Sequence, residues 1–168
     1  MTMTVLELRF PAGRYHATPW GRHVNEGAVE WPPSPWRILR ALIATWYLKA
    51  RSEIAEATVH ALADALSEPP VFRLPRATTA HTRHYMPYNE GKTEKTTKIF
   101  DTFVQLPEGA SVLVAWEVVL PLEQVIALQT LAGRLGYFGR AESVVEARLL
   151  EGVTAIEPNA TPLTERMP

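Results

Sequence analysis

The chain has 168 residues, 46% of them hydrophobic and 21% charged, which is the balance of an ordinary soluble globular protein with enough apolar side chains for one core. It has no Cys, which excludes disulfides, thiolate zinc sites and cysteine nucleophiles. No apolar run approaches the roughly 18 residues that span a bilayer, and the first residues lack a signal-peptide pattern, so we expect a cytoplasmic protein without a membrane partner.

The first predicted element is a strand over residues 3–10, where apolar and charged side chains alternate from Leu6 to Phe10. Residues 13–37, which we call the basic loop, begin without periodicity and are rich in Trp, Arg and His. Ser34 and Pro35 are typical of an N-cap and a first helical position.

The apolar spacing from Trp36 to Ala50 predicts a helix that ends near residue 51, with Trp36 anchoring the loop to the core. A second helical piece is predicted from Glu53 to Leu66. Residues 71–75 are compatible with a short strand. Residues 76–98 are polar and are interpreted as a long, mobile hairpin or loop, because a loop of this length in a compact domain is usually functional or disordered.

Strands are predicted over residues 99–106 and 111–120, the second apolar on nearly both faces and therefore central in its sheet. A helix follows from Pro121 to Leu135. Gly136–Arg140, which we call the glycine loop, ends it, and a last alternating strand runs from Glu142 to Glu151.

The predicted order is strand, helix, strand, strand, helix, strand, with 99–106 as the second strand. This is the βαββαβ pattern of ferredoxin-like α+β folds, here with a long insertion after the first helix. We expect the first and last strands side by side in an antiparallel sheet, with both helices on one face. The prediction is one ferredoxin-like domain over residues 1–152 and a flexible, Pro- and Thr-rich tail over 153–168.

The charge distribution and three stretches point towards an anionic ligand. Residues 1–100 have a net charge of +4 and residues 101–168 of −5, although charge scattered on a solvated surface gives the same pattern. The basic loop combines cations with rings that could stack on unpaired bases at roughly 1–3 kcal/mol per base. The alternative is that its Trp side chains cover the edge of the core.

The glycine loop permits positive φ and close backbone approach, and Arg140 could hold a phosphate. An ordinary helix-ending glycine is the alternative there. His81 and His84 lack a third metal ligand, so no metal and no cofactor is predicted. These His could instead act as general acid or base in metal-independent RNA cleavage, or simply contact RNA.

The motifs GRYHATPWGRHVNEG, EWPPSPWRILRALIATW, HTRHYMP, KIFDTFV and LGYFGRAESVVEARLL, spread over residues 6–150, closely resemble the CRISPR-associated fusion protein of type I-U (I-G) systems. That family joins a Cas-five-like and a Cas-six-like module, both of the repeat-associated RNA-binding superfamily with ferredoxin-like folds. Its members are much longer than 168 residues, so this chain resembles the N-terminal module.

The resemblance implies that CRISPR RNA and other subunits of the effector complex are the partners, with the glycine loop among the RNA contacts. It also implies that cleavage belongs to the C-terminal module, so we expect the fragment alone to be non-catalytic. The expected function is guide or repeat RNA binding in antiviral defence; alternatives are a metal-independent endoribonuclease that processes precursor CRISPR RNA and a protein-interaction module for effector assembly. The residues expected to contact RNA are Arg14, Tyr15, His16, Arg22, His23, Arg37, Arg40, His81, Arg83, His84, Lys95, Gly136, Tyr137, Gly139 and Arg140.

Overall fold

The computed structural model describes residues 3–23, 26–90 and 93–163. Its mixture of helices and antiparallel sheets confirms the α+β class. A π-helical turn, Trp46–Ala50, continues the first helix. The elements in chain order are β1 (Thr4–Arg9), β2 (Arg14–Tyr15), α1 (Pro35–Thr45), α2 (Glu56–Ala65), β3 (Val71–Arg73), β4 (Thr78–Glu90), β5 (Thr93–Gln105), β6 (Ser111–Trp116), α3 (Leu122–Gly133) and β7 (Glu146–Leu150).

The main sheet has four antiparallel strands in the order β3-β6-β1-β7. The expected pairing of the first and last strands is confirmed, since Leu6 on β1 lies opposite Leu149 on β7. Leu6 and Leu8 are buried in one cluster with Leu42 of α1, Val59 of α2 and residues of α3. Burial of these side chains supplies the main stabilising free energy of the fold.

A second sheet, in the order β2-β5-β4, contains a long antiparallel hairpin that we call the ribbon, formed by β4 and β5. Residues 76–98 were predicted to form a long, mobile hairpin or loop; the structure shows a hairpin there, which extends to Gln105, and its mobility stays a prediction. The assignment of residues 99–106 as the second strand of the main sheet is wrong, because they pair with β4 and β2, and β3 takes the edge position beside β6. Alternation identifies a strand but does not select its partner.

The segment after β7 returns to the outer edge of β3. The amide of Phe72 donates to the carbonyl oxygen of Ala160 at 2.8 Å, and the Asn159 side chain bonds both the amide and the carbonyl of Leu74, at 2.7 and 2.9 Å. These contacts satisfy backbone groups that an edge strand otherwise leaves without protein partners.

Candidate nucleic-acid interface

A cleft of about 310 Å³ lies between α1, the π-helical turn and the glycine loop. Three aromatic side chains line it: Trp20, Trp36 and Tyr137 are 87%, 60% and 55% exposed. Within the part of the chain that the structure describes, none of the three contacts another aromatic ring. Their faces are therefore open to a flat ligand.

Trp36 was expected to anchor the basic loop to the core, and this is wrong. It lies in the first turn of α1, one residue after Pro35, and the buried face of the helix is instead formed by Ile38, Leu42 and Thr45. The ring consequently faces the cleft. Trp31 packs against the core, with its ring centroid 6.0 Å from that of Tyr15.

Glu30 joins the basic loop to α1. One of its carboxylate oxygens accepts hydrogen bonds from the Tyr15 hydroxyl at 2.9 Å, the Ser34 amide at 2.9 Å and Arg37 Nε at 2.7 Å. The other accepts from a second nitrogen of Arg37 at 3.0 Å. These bonds raise the pKa of Arg37, and burial raises the pKa of Tyr15 above its usual range, so Tyr15 remains a donor.

Two further cations line the cleft. Arg40 is exposed and forms no ion pair with any residue that the structure describes. Lys49 donates from Nζ to the carbonyl oxygen of Arg134 at 2.6 Å, at the C-terminus of α3, where a positive charge is stabilising. The cleft therefore presents positive charge beside open ring faces.

The glycine loop is fixed against the backbone of His16. Gly139 has φ +93°, and a Cβ added there would lie 2.4 Å from the His16 carbonyl oxygen. The Arg140 amide donates to the same oxygen at 2.8 Å. Phe138 is buried and stacks on Tyr15 at a centroid distance of 5.6 Å. Of the two rings in this loop, only Tyr137 faces the cleft.

Tyr15 and His16, which were expected to contact RNA, are both buried. Tyr15 has no exposed surface because its ring packs between Phe10, Trp31 and Phe138. His16 is 5% exposed because the glycine loop covers it. A cluster of rings and cations in sequence does not reveal which members face the core.

His16, Arg140 and His84 belong to one network of polar contacts. His16 Nδ1 lies 2.7 Å from Glu142 Oε1, and its Nε2 lies 3.4 Å from a guanidinium nitrogen of Arg140. That nitrogen donates to Asp101 at 2.7 Å, and the other Asp101 oxygen lies 3.2 Å from His84 Nε2. Asp101 and Glu142 were not identified from the sequence, where nothing separates them from ordinary surface acids.

The ribbon carries the other predicted contacts. Arg83 and Lys98 lie over the Phe100 ring, 5.5 and 4.9 Å from its centroid, and His81 lies on the same face of the sheet. His84 lies on the opposite face, as expected for residues three apart in a strand. Lys95 is exposed on β5.

Arg14, Arg22 and His23 lie outside the cleft lining. Arg14 covers the Phe103 ring at 4.6 Å. Arg22 pairs with Glu26 at 3.3 Å, and the His23 amide donates to the same carboxylate. The structure therefore brings Arg37 and Arg40 together in the cleft with Gly136, Tyr137 and Gly139 of the glycine loop. Arg140, like Arg14, Arg22 and His23, is not part of the cleft lining.

Over residues 3–23, 26–90 and 93–163 there is no group of three or more His, Asp or Glu that could hold a metal ion. None of the helices in those ranges has the length and apolar character needed to cross a membrane.

The chain matches no family model and no curated protein sequence. The solved structures that resemble it include Cas6 of Thermus thermophilus, at 16% identity and a TM-score of 0.38, and a Cas6 product complex, at 16% identity and a TM-score of 0.40. Each alignment covers 88% of this chain, and 53% and 50% of the solved chains, so this chain spans about half of their length. The likeness is distant.

Proposed function

We propose that the chain is an RNA-binding module of a type I-U (I-G) CRISPR effector, which binds guide or repeat RNA in antiviral defence. The observation that carries the proposal is the cleft, where the open faces of Trp20, Trp36 and Tyr137 lie beside Arg40 and Lys49. Rings for bases next to cations for phosphates are what single-stranded nucleic acid requires. The sequence motifs add the CRISPR context and the effector subunits as partners.

The main sheet supports the ferredoxin-like part of the proposal. Its order, read from the other edge, is β7-β1-β6-β3, with α1 and α2 between β1 and β3 and with α3 between β6 and β7. A βαββαβ unit has this arrangement. The ribbon is then the insertion, placed between β3 and β6.

In the proposed mechanism, RNA binds to two surfaces, the cleft and the ribbon. In the cleft, unpaired bases stack on the rings while Arg40 neutralises a phosphate. On the ribbon, Arg83 and Lys98, which lie over the Phe100 ring, supply further cations for phosphates. Arg37 and Arg140 already hold carboxylates, so they shape the surface and contribute less to phosphate binding.

Arg40→Ala is expected to weaken RNA binding and to lower the salt dependence. Each lost phosphate contact reduces the slope of log K against log salt by about 0.7 for a single strand. Filter binding with repeat-derived RNA at a series of salt concentrations measures both quantities. Arg73→Ala, an exposed Arg outside the cleft on β3, is the matched control and should change neither. Absence of affinity in the unaltered chain at low salt would contradict the proposed function.

A metal-independent endoribonuclease is the second candidate, and one observation favours it. The His84 ring is about half exposed, and Asp101 lies within 3.2 Å of its Nε2, an arrangement suited to a general acid or base. Under this alternative, labelled repeat RNA is cleaved in EDTA and His84→Ala abolishes cleavage. His81→Ala, on the other face of β4 with no carboxylate partner among the described residues, is the control. RNA that stays intact throughout supports binding without cleavage.

Effector assembly is a third candidate for part of the surface. Leu122 and Ile126 are exposed on one side of α3, four residues apart, and Val119 is exposed in the segment that precedes the helix. Exposed apolar groups of this kind are typical of protein contacts. This surface lies outside the cleft lining, so RNA and a protein subunit could bind together.

A further inference from the structure

Arg140 lies where the cleft and the ribbon meet. It directly follows Gly139, which lines the cleft, and its guanidinium donates to Asp101 of the ribbon at 2.7 Å. The backbone of Arg140 is fixed, because its amide donates to the His16 carbonyl oxygen at 2.8 Å. RNA that contacts both surfaces would therefore come close to this guanidinium.

The Asp101 carboxylate is held by two groups that also suit a phosphate. One of its oxygens accepts from Arg140, and the other lies 3.2 Å from His84 Nε2. A phosphate accepts hydrogen bonds from guanidinium and imidazole N–H groups just as a carboxylate does. Arg matches the oxygen spacing of both anions, which is why it recognises either. The carboxylate consequently occupies a position that fits an RNA phosphate.

Solvent exposure makes this carboxylate displaceable. The side chains of Arg140, Asp101 and His84 are 38%, 20% and 51% exposed. Ion pairs open to water contribute little to stability, so an incoming anion can break this one at small cost. The pair between Glu30 and Arg37 differs, because Glu30 is 10% exposed and accepts four hydrogen bonds. Of the two carboxylates, Asp101 is the one that RNA can replace.

We infer that Asp101 competes with RNA for Arg140, and that a phosphate of bound RNA displaces it. Two anions on the same donors repel each other, so the carboxylate and the phosphate bind in turn. Asp101 keeps the guanidinium directed at the ribbon before RNA arrives, and it lowers RNA affinity by the cost of breaking the pair. This inference rests on the proposed RNA-binding function and adds an internal control of affinity to it.

Filter binding of repeat-derived RNA to Asp101→Asn tests the inference. The substitution keeps the shape of the side chain and removes its charge, so the variant should bind about two- to fivefold more tightly. Glu142→Gln is the matched control, because it makes the same charge change in the same network and leaves the pair of Arg140 with Asp101 intact. Its gain should be smaller and measures the effect of net charge alone. Equal gains, or weaker binding by Asp101→Asn, would overturn the inference.

Arg140→Ala adds two further tests. Combined with Asp101→Asn it should abolish the gain in affinity, and a gain that persists would contradict the competition for Arg140. Alone, it leaves Asp101 unaltered and should lower the slope of log K against log salt by about 0.7, the value for one phosphate contact on a single strand. An unchanged slope would show that no phosphate reaches Arg140, which also contradicts the inference.

The inference and the proposed function fail in different ways. Circular dichroism first establishes that each variant is folded, and Arg140→Ala still decides the matter if Asp101→Asn is not. Measurable binding by the unaltered chain that does not respond to Asp101→Asn overturns the competition alone. Absence of binding by the unaltered chain at low salt overturns the proposed function as well.

Discussion

Gly139→Ala should lower the free energy of unfolding by about 3 kcal/mol or more, which in a chain of this length lowers Tm by roughly 6–12 °C. Two costs combine at this position. An L-residue at φ +93° is strained, and the added Cβ would lie 2.4 Å from the carbonyl oxygen of His16, a backbone atom that cannot turn aside. Thermal and urea unfolding followed by circular dichroism measure the loss.

Gly136→Ala is the matched control within the same loop. A Cβ there would lie 3.7 Å from Lys49 Nζ, which is ordinary van der Waals contact with the end of a flexible side chain. We expect its effect on stability to stay below about 1 kcal/mol. Similar destabilisation by the two substitutions would show that the His16 contact does not limit the loop.

Glu30→Gln is expected to cost about 3 kcal/mol, because it replaces a largely buried carboxylate that four donors share. The amide nitrogen cannot accept, so Arg37 or Tyr15 loses a partner in a site with little access to water. The basic loop should also loosen, since Arg37 additionally donates to the Thr18 carbonyl oxygen at 2.8 Å. Urea unfolding gives the stability, and exchange of the Ser34 amide with solvent reports the loop.

Glu26→Gln is its control, with the same chemistry on the same loop. Glu26 is exposed and pairs with Arg22, and exposed pairs contribute little to stability. We expect no measurable change in unfolding. If Glu30→Gln behaved in the same way, the hydrogen bonds at Glu30 would not be what holds the loop on α1.

Local sequence pattern was enough for most elements of the fold. The alternation around Leu6 and Leu8 predicts β1, and the apolar run from Ser111 predicts a central strand, because burial imposes those periods directly. The partner of residues 99–105 was not predictable in this way. A strand of the ribbon and a strand of the main sheet show the same alternation, and the difference lies in which distant segment supplies the hydrogen bonds.

Only part of the candidate site was predicted, because some of its residues depend on distant partners, as the pairing of residues 99–105 does. Arg40 was predicted as a contact from the excess of cations in the first part of the sequence, and Tyr137 from its place in the glycine loop. Trp36 was assigned to the core because helical spacing defines a face but not its exact limits. The roles of Glu30 and Asp101 come from partners 7 and 39 residues away in sequence, at Arg37 and Arg140, which no local pattern reveals.

The packing of the glycine loop on His16 also sets an order of events during synthesis. The two segments are separated by 124 residues, counted from His16 to Arg140. At about 5–20 residues per second, a ribosome takes roughly 6–25 s to add that length. During this time the basic loop is without the surface that covers Tyr15 and His16. The cleft is therefore among the last features to form, and its assembly requires that the first and last strands of the main sheet, β1 and β7, have been synthesised and brought together.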